Sequence, residues 1–224
     1  MPEISVFDVI GPIMVGPSSS HTAGAVRLGL MARALLGCPP HKATIGLHGS
    51  FAHTGRGHGT DRALIAGLLG LSPDDDRIRD SFAIAQAQGL AFTFDQVDLG
   101  PDAHPNSVAF ELWAADAHIH CAGASIGGGM IRITEIAGYP VDVSGQYHTL
   151  IVVAQDRPGA INAVTSWFLH YHLNIATFKV TRRQRGGQAI MVIASDEHLP
   201  QDLPEAITDF PWVSWARHIP KLPI

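Results

Sequence analysis

Three short stretches carry side chains suited to acid–base work or anion binding: "GPSSSHT" (16–22), "TGRGHGTD" (54–61) and "GPDAHPNS" (100–107). Each sets a histidine, His21, His58 or His104, within two residues of a threonine or an asparagine. An imidazole titrates near neutral pH, so it can move a proton or donate a hydrogen bond to a carboxylate. The first two stretches open onto helical patterns, and the first N–H groups of a helix are unpaired at the positive end of its dipole. Two such cradles predict one shared small anion. Taken singly, a solvated capping loop or a Gly-rich turn explains each stretch better; the repetition favours a site.

Composition narrows the chemistry. The chain has 224 residues with a net charge of -5, 46% hydrophobic and 16% charged, a globular balance. No basic cluster offers a footprint for nucleic acid or an anionic membrane, so a small molecule or a protein is the expected partner. No apolar run spans a bilayer and "MPEISVFDVIG" has no basic leader, which predicts a cytoplasmic protein. Cys38 and Cys121 are the only cysteines. That count excludes a disulfide framework, a Cys-rich zinc site and a self-contained iron–sulfur site. His118 and His120 share a strand face in "HIH" without a metal-ligand pattern around them, and they read as surface. Walker and Rossmann patterns are absent. Arg62, Arg77, Arg79, Arg182, Arg183 and Arg185 read as solvated faces and a hairpin tip, and are assigned no function.

The elements that must position these residues follow from periodicity. Residues 25–36 space apolar side chains as an amphipathic helix, capped by Thr22 or Ser20 and stopped by "CPP". A strand is expected over 43–51, a loop over 55–61, and a second helix in "RALIAGLLGL". "RIRDSFAIAQAQG" reads as helix, while "AFTFDQV", "SVAFELWA" and "AHIHCAG" alternate as strands. Gly127, Gly128 and Gly129 suit a sharp turn or a close backbone approach. Gly, Pro and Ser over 137–147 break the periodicity, so the expected domains are 1–140 and 148–224. The second reads βαββαβ, the ferredoxin-like plan, and the fold class is α+β.

"FDVIGPIMVGPSSSHTAGAVRLG", "GSFAHTGRGHGTDRA", "RIRDSFAIAQAQG", "HPNSV" and "SIGGGMIRITEI" resemble, in order and spacing, the β chain of the two-chain, iron–sulfur-dependent bacterial L-serine dehydratases. The match runs from about Val6 to Ile136, and the remainder looks like the ACT domain that ends such chains. The first domain is thus similar to the α+β, allosteric-substrate-binding-like domain of that family. Where single-chain relatives read closer to "GHHTD" and "HENGM", this sequence has Gly59 and Pro105, which assigns those two positions no essential chemistry.

The resemblance implies deamination of L-serine to pyruvate and ammonia, as a step of amino-acid catabolism. It implies a partner α subunit whose cysteines ligate a [4Fe–4S] cluster, with no metal ligand on this chain and no activity of this chain alone. The cluster would act as Lewis acid on the substrate hydroxyl while a base takes the Cα proton. No pyridoxal lysine is called for; Lys42, Lys179 and Lys221 lie in no cofactor motif. By position, the family's pocket maps onto Ser18, Ser19, Ser20 and Thr22, Thr60 and Asn106 for binding substrate, with His21, His58 and His104 catalytic. In the C-terminal domain, Asp156, Pro158, Gly159 and Asn174 map onto the effector loop of ACT domains, which commonly pair as homodimers; serine is the expected effector. The alternative is a non-catalytic serine-sensing and assembly module, because a similar fold joins an ACT domain in some phosphoglycerate dehydrogenases.

Overall fold

The computed structural model describes residues 18–222. The expectations made on residues 1–17, including the first part of the family resemblance, lie outside them. Contacts divide the chain between Gly138 and Tyr139 into two units.

The first unit is organised around a buried helix, α1 (Gly24–Leu36), of which ten residues are buried. Its mixture of alanine, leucine and glycine permits burial on nearly every side. It is entered through a single π-helical turn, Ser19–Ala23, and ends at Gly37, whose φ of 87° closes the last turn. Helix α3 (Thr60–Leu69) crosses α1 at glycines on both sides. A methyl group on Gly67 would lie 2.1 Å from the Val26 carbonyl oxygen, and one on Gly29 would lie 2.4 Å from that of Leu64.

The sheet of this unit contains β1 (Lys42–Leu47), β2 (Ala91–Gln96), β3 (Ser107–Trp113), β4 (His118–Gly127) and β5 (Met130–Ile136), in the order β2-β1-β3-β4-β5. Only β1 and β2 run parallel. Ile45, Phe110, Leu112, Ile119 and Cys121 are buried in the sheet, and α1 packs against β4.

Several expectations need correction. The strand expected over 43–51 stops at Leu47, and the expected loop over 55–61 is mostly helix α2 (Gly49–His58), separated from α3 by Gly59 in the left-handed region, φ 72°. Three glycines within it argue against a helix on propensity alone. Tertiary anchoring overrides that: Phe51 is completely buried, and Thr54, His53 and His58 each bond the carbonyl four residues earlier. The expected helix over 77–89 is a 3-10 turn, Asp76–Asp80, followed by α4 (Ser81–Ala87). Within the expected break at 137–147, Tyr139–Val143 forms a short strand, β6.

The second unit has the predicted order: β7 (His148–Gln155), α5 (Ala160–His170), β8 (Thr177–Arg182), β9 (Gln188–Ser195), α6 (Leu203–Thr208) and β10 (Val213–Ile219). Its sheet order is β10-β7-β9-β8, all neighbours antiparallel. Leu150, Val152, Val164, Phe168, Ile193 and Ile207 form its core. At one end His148, His198 and His218 gather with ring centroids 4.8–5.4 Å apart, and His148 Nδ1 lies 3.2 Å from His218 Nε2. Burial, and then the charges of His148 and His198, push the His218 imidazole down to about 4.

Two outcomes follow from this packing. Gly67→Ala should destabilise the chain by about 1–3 kcal/mol in urea unfolding, because overpacking against the Val26 carbonyl exceeds the roughly 1 kcal/mol gained in helix propensity; an unchanged midpoint contradicts the close crossing. The depressed His218 leaves stability unaffected above the ordinary histidine value of 6.5 and disfavours folding increasingly as pH falls from there through about 4, because the unfolded chain takes up the proton first. The urea midpoint of the second unit should therefore fall over that range, and H218Q should flatten the fall; an equal pH dependence in H218Q contradicts it.

Candidate active site

The entrance of α1 is built by Ser18. Its extended backbone (φ -138°, ψ 120°) ends the preceding chain, and its hydroxyl accepts the His21 N–H at 3.2 Å. Ser18 is therefore the cap, where Thr22 or Ser20 was expected. Ser19 and Ser20 are half-buried within the π-turn, and Thr22 is buried with a hydroxyl that bonds nothing among the described residues.

The turn delivers His21 to helix α2. His21 Nε2 lies 3.2 Å from the Thr54 hydroxyl and 3.4 Å from that of Ser50. The Thr54 hydroxyl donates its own proton to the Ser50 carbonyl at 2.9 Å, so it can only accept from His21. The neutral ring therefore carries its proton on Nε2 and leaves Nδ1 as acceptor, 3.4 Å from the Ser18 hydroxyl. His58, at the other end of α2, donates from Nδ1 to the Thr54 carbonyl at 3.0 Å. Its Nε2 is then the lone-pair nitrogen, on an exposed ring. The two rings lie 4.8 Å apart, tilted by 39°, and the Phe51 ring meets His21 edge-on at 5.3 Å. Burial, and then the charge of His58, hold the His21 imidazole below its ordinary value.

Backbone bonds close a ring of contacts around this pair. The Pro105 carbonyl accepts the Phe51 N–H at 3.4 Å, and the Ser107 carbonyl accepts that of His48 at 3.1 Å. The Asn106 carbonyl accepts the Ser125 N–H at 3.0 Å. Ser125 in turn presses on α1, where a methyl group on Gly24 would fall 2.0 Å from its hydroxyl oxygen. The π-turn, α2, the 104–107 loop and the β4–β5 hairpin are thus linked in sequence.

Not every expected residue joins the histidine pair. His104 Nδ1 accepts the Asn106 N–H at 3.1 Å, shaping its own loop, and the ring lines a separate cavity of about 360 Å³ with Ser107, Arg132 and Glu135. Thr60 is fully buried in the first turn of α3, its hydroxyl without a partner, while Gly55 of α2 lies against its side chain. The cradle expected at 54–61 is therefore altered: His58 ends one helix and Thr60 begins the next. A cavity of about 430 Å³ lined by Leu47, Phe51, Asp61, Phe82, Phe94 and Asp95 holds none of the expected residues. Ser125 and Arg27 were not among the expected site residues. The signal available for Ser125 was its place in "SIGGG".

In the second unit Asp156 is already engaged. It accepts from the Gly186 N–H at 3.0 Å and from Arg182 at 2.7 Å, which in that order hold its carboxyl below the usual range. Arg182, read as solvated, is thus a structural partner. Pro158 lies in the turn before α5, Gly159 starts that helix with φ 84°, and the Asn174 N–H donates to Glu197. His118 and His120 share Glu111, and His120 also meets Glu135 at 3.2 Å.

The residues of this chain do not fit an iron–sulfur cluster. Cys38 is exposed, and burial, with Glu111 and Glu135 nearby, pushes the Cys121 thiol up to about 12, so it stays protonated. Among the described residues, no three His, Cys, Asp or Glu side chains are set to hold a metal ion. Among them, too, no helix is long and apolar enough to cross a membrane.

The chain is similar to known proteins over most of its length. Residues 5–91 match the family model of the serine dehydratase beta chain, and residues 148–211 match the ACT domain. The chain is 39% identical over 207 residues to the probable L-serine dehydratase beta chain of Bacillus subtilis, covering 92% of this chain and 94% of that one. The chain belongs to the serine dehydratase β-chain family. A second β chain of this family, the L-serine dehydratase beta chain of Peptoniphilus asaccharolyticus, is 37% identical over 220 residues, covering 98% and 99% of the two chains. The D-3-phosphoglycerate dehydrogenase of Bacillus subtilis is 25% identical over 151 residues, 67% of this chain and 29% of that one. The ACT match runs from the start of β7 through α6 and ends just before β10, and the β-chain match runs from residue 5 through the π-turn, α2 and Thr60 to the start of β2.

Proposed function

We propose that this chain is the β subunit of an L-serine ammonia-lyase, working with an α subunit that carries a [4Fe–4S] cluster in the cytoplasm. The observation that carries this reading is the coupled pair His21 and His58, held by the Ser50–Thr54 hydroxyl relay beside the serine-rich entrance of α1. The cluster of the α subunit supplies Lewis acidity toward the substrate hydroxyl.

This chain's residues bind the amino acid and move its proton. The helix entrance, with Ser18, Ser19, Ser20 and Thr22, together with Thr60 and Asn106, receives the carboxylate at the positive end of α1. His58 is suited to take the Cα proton, because its hydrogen bond to Thr54 leaves Nε2 unprotonated and exposed. His21, kept neutral by burial, orients the neighbouring ring and the substrate. His104 sets the loop of Asn106. Loss of water gives aminoacrylate, which tautomerises to the imine and hydrolyses to pyruvate and ammonia. The ACT unit is proposed to pair with a second copy and to bind serine as effector near Asp156, Pro158, Gly159 and Asn174.

The partial likeness to a phosphoglycerate dehydrogenase supports a second reading, a serine-sensing module without chemistry. A sensor has no use for an exposed base, and the two readings separate in one assay. Coexpressed with a cysteine-bearing α chain and reconstituted without oxygen, the complex should form pyruvate from L-serine, while this chain alone should not. H21A and H58A should each lower turnover by about 100-fold or more and H104A by less. A cluster-loaded complex that forms no pyruvate, or full activity in both H21A and H58A, contradicts the proposal.

A further inference from the structure

Arg27 is the largest fully buried side chain of the described residues, 1% exposed, one turn into α1 from Gly24. Its Nη1 donates to the Gly129 carbonyl at 2.7 Å, while Nε and Nη2 are buried without a partner among the described residues. A guanidinium does not lose its proton in a protein, and a buried cation normally sits against a carboxylate. Arg27 has none among the described residues; burial lowers its affinity for the proton.

The neighbourhood repeats the same shortage. The Thr22 and Ser125 hydroxyls are buried and unpartnered, Thr22 in the π-turn and Ser125 against Gly24. Gly24 and Arg27 are three residues apart and so lie on one side of α1, where they meet the same hairpin at Ser125 of β4 and at Gly129 in its turn. The hairpin can bring the Gly129 carbonyl there because Gly127, Gly128 and Gly129 all have positive φ, 107°, 58° and 76°. Buried donors are rarely left unpaired, and here they gather beside a helix's positive end with no anion among the described residues.

We infer that Arg27 is a positioning residue for an anionic substrate group: its buried, half-partnered charge is the counter-charge for an α-carboxylate at the entrance of α1, and its hold on Gly129 sets Ser125 against that entrance. The inference rests on the proposed amino-acid site and adds to it a source of specificity. The charge acts over a distance, so Arg27 needs no contact with the substrate.

The assembled complex with the α chain tests it by equilibrium titration with L-serine and with L-serinamide, at a pH where both amino groups are protonated. The amide keeps the shape and lacks the carboxylate charge. The wild-type complex should prefer L-serine by about tenfold or more; R27M should reduce that preference to about threefold or less, and R27K should retain most of it. An undiminished preference in R27M, or equal losses in R27M and R27K, overturns the inference, since a purely structural clamp would not distinguish the two ligands by charge. Should R27M fail to assemble, R27Q against R27K reads the same difference. Pyruvate formation by the wild-type complex is measured alongside, so a failure of the lyase reading is seen separately from a failure of Arg27.

Discussion

Helix α1 cannot reach solvent along most of its length, and the rest of the first unit is arranged to satisfy it. A helix this deeply buried must have its unpaired first turn met from inside the protein. The π-turn with its Ser18 cap, the hydroxyl of Ser125 lying on Gly24 and the bond from Arg27 to Gly129 all converge there. Close crossing by α3 at Gly29 and Gly67 keeps the helix from shifting. Small residues along α1 thus make its burial possible, and burial makes its entrance a place where polar groups have few alternatives.

The chemistry of the candidate site depends on that constraint through one hydrogen-bond sequence. Ser18 fixes the backbone of His21, His21 leans on the hydroxyls of α2, and α2 holds His58 by its own carbonyl. The last two steps fix which ring nitrogen carries a proton. Burial, and then the neighbouring charge of His58, disfavour the charged form of His21. The Nδ1 bond of His58 to the Thr54 carbonyl leaves its Nε2 facing outward.

Much of this was legible in the sequence, and the exceptions have physical reasons. The second unit was readable because its strands alternate and its turns carry Gly and Pro at the right places. The α1 pattern was readable for the same reason, and the resemblance supplied His21, His58 and Thr60. Helix α2 was hidden: Gly55, Gly57 and Gly59 speak for a loop, and only the burial of Phe51 and side-chain bonds to preceding carbonyls show otherwise. Ser125 and Arg27 gain their significance from contacts between residues about 100 positions apart, which local pattern does not encode. His104 was grouped with the other two histidines by its similar loop, yet its ring serves Asn106. Residue types identified the loops that meet; the hydrogen-bond geometry decided which imidazoles meet.

The coupling of His21 to His58 is the central claim, and heteronuclear NMR titration of the two imidazoles in the free chain measures it directly. The account predicts His21 below the ordinary histidine value of 6.5, protonated on Nε2 when neutral, with His58 protonated on Nδ1. In H58N the loss of the neighbouring charge should raise the His21 value part of the way, with burial holding it below normal. A His21 that titrates at or above the ordinary value and does not respond to H58N would contradict the account.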